Sequence, residues 1–171
     1  DHPTRPLSPY GASKLAGEAY VNAFGEFMDV VILRLFNVYG YGQNPSYAGV
    51  VLRFVESALR GGRPTIYGDG RQTRDFVHVE DVANAFLWAL NVEPGIYNIG
   101  SGREVSVLQL LRIVEEVTGR KLEPVFSEPR PGDIRRSCAD ISRAVSRGWK
   151  PVVDLRSGIR RLYESMLREL G

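Results

Sequence analysis

The chain has 171 residues, of which 43% are hydrophobic and 25% charged, with a formal net charge of +2. That composition belongs to a globular domain and excludes disordered and fibrous classes. So small a charge gives no general pull towards nucleic acid or an anionic membrane surface.

No apolar run reaches the length of a membrane span, and no signal peptide opens the chain. The lone cysteine, Cys138, rules out an internal disulfide and a cysteine-rich metal site, and it is expected to be a small buried side chain. A reducing cytoplasm is the expected compartment. Nineteen of the 22 basic residues are arginines, the residue type suited to planar, bidentate recognition of phosphate.

The first residues, Asp1-His2-Pro3-Thr4-Arg5-Pro6, read as a loop entered midway. Ser8 as cap and Pro9 at the first helical position predict a helix to about Phe27, with Leu15, Ala19, Phe24 and Phe27 among its apolar positions. Tyr10 and Lys14 are then four residues apart on one helical face. An ammonium beside a phenol favours the phenolate, which makes Tyr10 a candidate general base. Val30 to Phe36 is the nearly continuous apolar run of a strand buried on both faces of a parallel sheet. Asn37 follows at its C-terminal end, the edge where open α/β sheets bind ligands.

Val50 to Leu59 reads as a helix stopped by Gly61-Gly62, and Thr65 to Tyr67 as a short strand turning at Gly68-Asp69-Gly70. Arg74 to Val79 is a further strand, Asp81 to Leu90 a helix, and Ile96 to Ile99 a strand ending in Gly100-Ser101-Gly102. Ser106 and Gln109 form a capping box for a helix through Val117. Pro124 to Phe126 reads as a strand, and Leu155 to Leu170 as an amphipathic terminal helix. Asp81, Asp140 and Asp154 are expected to cap helices. His78, between two valines, reads as a hydrogen-bonded structural histidine, and with His2 as the only other histidine no metal cluster is expected.

The pattern is mixed α/β, but the strand, glycine turn and helix that open a dinucleotide-binding fold are not found; Gly100-Ser101-Gly102 lacks the last glycine of that motif. The chain therefore reads as the second half of a larger unit.

Six segments in order carry a family resemblance: Pro9-Tyr10-Gly11-Ala12-Ser13-Lys14, Arg34 to Gly40, Ile66-Tyr67-Gly68-Asp69-Gly70, Gln72 to Asp81, Tyr97-Asn98-Ile99-Gly100 and Arg130-Pro131-Gly132-Asp133. The chain resembles the C-terminal half of the extended short-chain dehydrogenase/reductase family, in its nucleotide-sugar epimerase and dehydratase group. The resemblance implies that residues 1–47 are the C-terminal part of an NAD-binding Rossmann-like domain, doubly wound. Residues 48–171 would be mainly a smaller mixed α/β substrate-binding domain, with segments around 72–100 returning to the Rossmann sheet.

It also implies a reaction, epimerisation at C4 of a UDP-glucose or UDP-galactose type sugar through a 4-keto intermediate with NAD as cofactor. Tyr10 would be the base, assisted by Lys14, and both would touch NAD with Phe36. Asn37, Arg74 and Arg130 would surround the substrate diphosphate, Asp133 would accept from a ribose hydroxyl or orient Arg130, and Ala48, Gly49, Thr65, Ile66, Tyr67 and Ser137 would complete the nucleotide contacts. The expected partners are the nucleotide sugar and a second copy in a homodimer packed through the first helix, with neither nucleic acid nor membrane. Two features of the family are not found, the glycine-rich dinucleotide turn and the Ser/Thr that shares the sugar hydroxyl with the tyrosine, so these 171 residues alone are expected to be inactive. The alternatives are a 4,6-dehydratase or decarboxylase on the same scaffold, or a non-catalytic nucleotide sensor, against which the intact Tyr10 and Lys14 count.

Overall fold

The computed structural model describes residues 3–44, 46 and 48–170; His2 lies outside them. Helix α1 spans Pro9–Ala23 and continues as a 3-10 turn, Phe24–Glu26. Ser8 caps it, its hydroxyl accepting from the Gly11 N–H at 3.0 Å. The strands are β1 (Val31–Leu35), β2 (Asn37–Tyr39), β3 (Thr65–Tyr67), β4 (Thr73–His78), β5 (Gly95–Ile99), β6 (Glu104–Ser106) and β7 (Val125–Ser127). The remaining helices are α2 (Val50–Arg60), α3 (Val79–Ala89), α4 (Val107–Thr118), α5 (Ser142–Ser146) and α6 (Leu155–Leu170).

Three small sheets result. β1 pairs in parallel with β5, β3 in parallel with β7, and β4 lies between β2, parallel to it, and β6, antiparallel. Two apolar cores accompany them. One joins α2, α4 and α6 around Phe54, Ile66, Leu110, Ile159 and Leu162; the other joins β1, β5, α3 and α5 around Val77, Tyr97, Ile99 and Trp149. Glycines end two of the first core's helices: Gly61 at φ 70° and Gly119 at φ 67° turn the chain in the left-handed region that a side chain would oppose. The capping box is present, Ser106 accepting from the Gln109 N–H while the Gln109 side chain accepts from the Ser106 N–H.

Several expectations are corrected. β1 is only partly buried: among the described residues it pairs with β5 alone, and α1 buries no residue against its faces. No residue of α1 is buried, and Phe24 and Phe27 are 42% and 80% exposed, so the apolar stripe of this helix meets no core among the described residues. Asp81 is not a cap: His78 caps α3, its ring nitrogen accepting from the Glu80 N–H. The buried Asp81 carboxylate instead accepts from the Val152 and Val153 N–H groups at 2.9 and 3.1 Å, tying α3 to the segment before α6. Asp140 and Asp154 do accept from the N–H groups of Ser142 and Ser157 at the starts of α5 and α6. Cys138 is exposed. The short β2 and β6 went unpredicted, each too brief for a periodic signal, and α5 was marked only by its expected cap, Asp140.

Among the described residues no helix is long and apolar enough to cross a membrane, and no group of three or more His, Cys, Asp and Glu side chains could hold a metal ion.

Candidate functional site

Strands β3 and β4 are joined by a tight turn, and a long strap, residues 128–137, leaves β7 and crosses over that turn. Gly68 and Gly70 adopt φ of 70° and 71°. A Cβ on Gly70 would stand 2.8 Å from Leu108 Cγ, so the turn is wedged against α4. Gln72, nearly buried, donates to the Tyr67 carbonyl at 2.7 Å and fixes the end of β3.

On this frame four side chains from distant parts of the sequence come together. The Arg130 guanidinium lies over the Tyr67 ring at 3.9 Å from its centroid. Arg74 forms an ion pair with Asp133 and donates to the Thr73 carbonyl at 2.7 Å and to the Ile134 carbonyl. The side chain of Arg74 is only 17% exposed, so its charge is presented on a rigid, partly desolvated stem. Asn37, on the strand next to β4, donates from its amide to the Asp75 carbonyl at 3.0 Å, beside Arg74. Asp133 thus pairs with Arg74, and Arg130 is oriented by Tyr67. The chain neighbour Asp75 is not Arg74's ion-pair partner.

The remaining candidates are placed less directly. Ile66 and Ala48 are buried in the first core, so a ligand could meet only their backbones. Gly49 stands at the N-terminus of α2, Thr65 is exposed at the start of β3, and Ser137 is half-buried at the end of the strap. Phe36 follows β1 and donates its N–H to the Ile99 carbonyl at 3.0 Å.

Tyr10 and Lys14 form a separate pair on α1. The Lys14 ammonium lies 5.3 Å from the centroid of the Tyr10 ring, as the four-residue spacing requires. Tyr10 is 71% exposed, and Lys14 helps line a shallow cavity of about 210 Å³ with Gly11, Leu15, Glu18 and Arg34. Glu18 is engaged by Arg34 at 2.8 and 2.6 Å, and no ion pair to Lys14 is present among the described residues. The ammonium donors are therefore available to hydroxyls of a cofactor ribose, which is the chemistry a dinucleotide would require there. The two groups also approach each other: a Cβ on Gly132 of the strap would stand 3.9 Å from the carbonyl oxygen of Leu7, in the segment leading into α1.

Charge shapes the strap region. Arg130, and beyond it Arg53 on α2, favour the ionised form of the Tyr67 phenol and lower its pKa. Arg135 and the Arg71 N–H hold the Asp69 carboxyl well below the usual carboxylate range. Sequence reasoning missed Arg53, Arg135 and Arg136; a lone arginine in a helix or loop carries no signal until the fold supplies its neighbour. It also missed the part of Asp75, which is fully buried. Its carboxylate accepts from Ser101 N–H and Oγ, both at 2.6 Å, from Gly102 N–H at 2.9 Å and from Ala139 N–H at 3.0 Å.

Residues 1–100 match the NAD dependent epimerase/dehydratase family. Over 169 residues the chain is 46% identical to a putative UDP-glucose 4-epimerase of Methanocaldococcus jannaschii, covering 97% of this chain and 55% of that protein. The UDP-glucose 4-epimerase of Thermotoga maritima, solved with UDP-glucose, has a TM-score of 0.93 at 40% identity over 98% of this chain and 56% of its own. That of Thermus thermophilus, solved with NAD, has a TM-score of 0.88 at 40% identity over 94% of this chain and 54% of its own. Further relatives bear dehydratase and decarboxylase names. The chain spans about half the length of the relatives it matches. With its mixed α/β architecture, its parallel strand pairs and this match over more than half its length, the chain belongs to the NAD dependent epimerase/dehydratase family, whose structures are Rossmann-like.

Proposed function

We propose that this chain carries the nucleotide-sugar-binding part of an NAD-dependent 4-epimerase acting on a UDP-sugar of the UDP-glucose or UDP-galactose type. The observation that carries the reading is the cluster of Tyr67, Arg74, Arg130 and Asp133, with Asn37 on the adjoining strand. Two guanidiniums, that of Arg74 held on β4 and that of Arg130 laid over Tyr67, suit a diphosphate through charge-assisted bonds. Tyr67 offers a flat face to a base or ribose, and Asp133 an acceptor for a ribose hydroxyl. Thr65, Ser137 and the backbones of Ala48, Gly49 and Ile66 would complete the nucleotide contacts.

Binding energy placed on the nucleotide leaves the sugar free to turn between the two halves of an epimerisation. Tyr10, with the Lys14 ammonium beside it, takes the proton of the sugar C4 hydroxyl and returns it after the 4-keto sugar has turned over. Lys14 and the Phe36 backbone hold the nicotinamide end of NAD. Bound NAD would supply the two-electron acceptor for the sugar C4 and give the electrons back to the opposite face. Turnover belongs to a protein of the relatives' length, and the 171 residues alone bind without epimerising.

The exposed side chains Tyr20 and Val21 of α1, with Phe24 and Phe27 of the turn that continues it, support assembly of two copies through this helix. A dehydratase or decarboxylase would use the same nucleotide cluster; the higher identity to proteins named as epimerases supports the first reading. The test is an NMR titration of the chain with UDP-glucose. Shifts are expected at Asn37, Tyr67, Arg74, Arg130 and Asp133; shifts confined to other surfaces would overturn the assignment.

A further inference from the structure

We propose that Asp69 is a positioning residue for nucleotide binding: through its two-point ion pair with Arg135 it holds the strap so that Arg130 and Asp133 face the nucleotide. This rests on the nucleotide-sugar reading given above. Every described residue from Val125 to Arg136 is exposed, so no apolar side chain anchors the strap to a core. The positions of Arg130 and Asp133 therefore depend on polar ties and on the stacking of Arg130 over Tyr67.

Those ties are few. Arg74 holds Asp133 and the Ile134 carbonyl, the Thr73 N–H donates to the Arg135 carbonyl at 3.0 Å, and Arg136 pairs with Glu104. Arg135 reaches back to the turn, its two terminal nitrogens donating to the two Asp69 oxygens at 2.7 and 2.9 Å. Two carboxylates outside the binding cluster clip the strap: Glu104 from strand β6 and Asp69 from the turn after β3. The turn around it is fixed by Gly68 and Gly70, by the contact of Gly70 with Leu108, and by the Arg71 N–H that donates to the carboxylate at 2.9 Å. The Gly68 N–H also donates to the Ser127 carbonyl at 2.8 Å, just before the strap departs. Asp69 and Arg135 are 49% and 62% exposed, and a pair so hydrated adds little to global stability. What it does is select one arrangement of an otherwise unanchored segment, which lowers the ordering cost of binding.

The experiment is calorimetric titration of the chain with UDP, using wild type, Asp69→Asn, Arg135→Gln and the double variant, with the thermal midpoint of each recorded. Each single variant is expected to weaken UDP binding about tenfold with an unchanged midpoint. The double variant should be no weaker than either single, because both remove the same tie. Asp69→Glu, which keeps the charge, should recover most of the affinity. Wild type binding with Asp69→Asn binding equally well, or losses that multiply in the double variant, would overturn the positioning proposal while leaving the nucleotide-sugar reading intact. Absence of UDP binding by wild type would overturn both.

Discussion

A carboxylate deprived of water is stable only when its lone pairs are filled, and at Asp75 they are filled by three backbone amides and one hydroxyl. The close approach leaves no room around it: a Cβ on Gly100 would stand 2.9 Å from the Asp75 carboxylate and 2.6 Å from Ala139. Asp75 thereby joins β4, the turn after β5 and the segment that follows the strap. Replacing it with Ala leaves one buried amide, that of Ala139, and two partly buried ones unpaired, at about 1–3 kcal/mol for the buried one and less for the others before any relaxation. Asp75→Ala should therefore lose about 2 kcal/mol or more in urea unfolding, whereas removing the exposed carboxylate of Glu116, paired with Arg156, should cost under about 1 kcal/mol. In the sequence, Asp75 reads as one more charge beside Arg74. Burial and the identity of its partners are long-range facts, 26 to 64 residues away along the chain. The spacing of Tyr10 and Lys14, by contrast, is local, and the geometry of one helix was enough to place them together.

Helices with strong local punctuation were legible. Ser8-Pro9, Ser106 with Gln109, and the glycines at 61 and 119 mark ends that tertiary contacts do not move. The cap of α3 was misread because aspartate is the commoner cap, and the structure spends Asp81 on the Val152–Val153 amides instead. His78 takes the position with a ring nitrogen that must stay unprotonated to accept. It is 4% exposed and packed edge-on against Tyr39 at 5.3 Å. Around it, Glu80 and Asp81 favour its charged form, Arg161 opposes it, and burial is the largest effect, so its pKa falls below the ordinary 6.5.

The unfolded chain then binds more protons than the folded one between the two values. The stabilising contribution is complete above about pH 6.5 and is lost as pH falls through the folded value. His78→Gln should flatten the fall in thermal midpoint measured from pH 7 to pH 5. An unchanged slope would show that other groups govern it.

Across the whole molecule, the two cores divide the work. The first, built from α2, α4 and α6, supports β3 and the turn that follows it. The second supports β1 and β5 but, among the described residues, leaves one side of β1 without a strand and α1 without a buried residue. The α/β class was readable because the strand and helix periodicities alternate clearly. How the strands divide among three sheets was not, since the pairing of β1 with β5 rather than with β2 depends on contacts some 64 residues apart. The same holds for the site: the residue types were visible in the sequence, but the stacking of Arg130 on Tyr67 and the pairing of Arg74 with Asp133 exist only once the strap has crossed β3 and β4.

We propose that this strap and these strands form a nucleotide-diphosphate site. Calorimetric titration of the chain with UDP-glucose, repeated with Arg74→Ala and Arg130→Ala, tests it most directly. Saturable one-to-one binding by the parent chain, weakened at least tenfold in each variant, is the predicted result. Binding that both variants retain in full, or none by the parent chain, would contradict it.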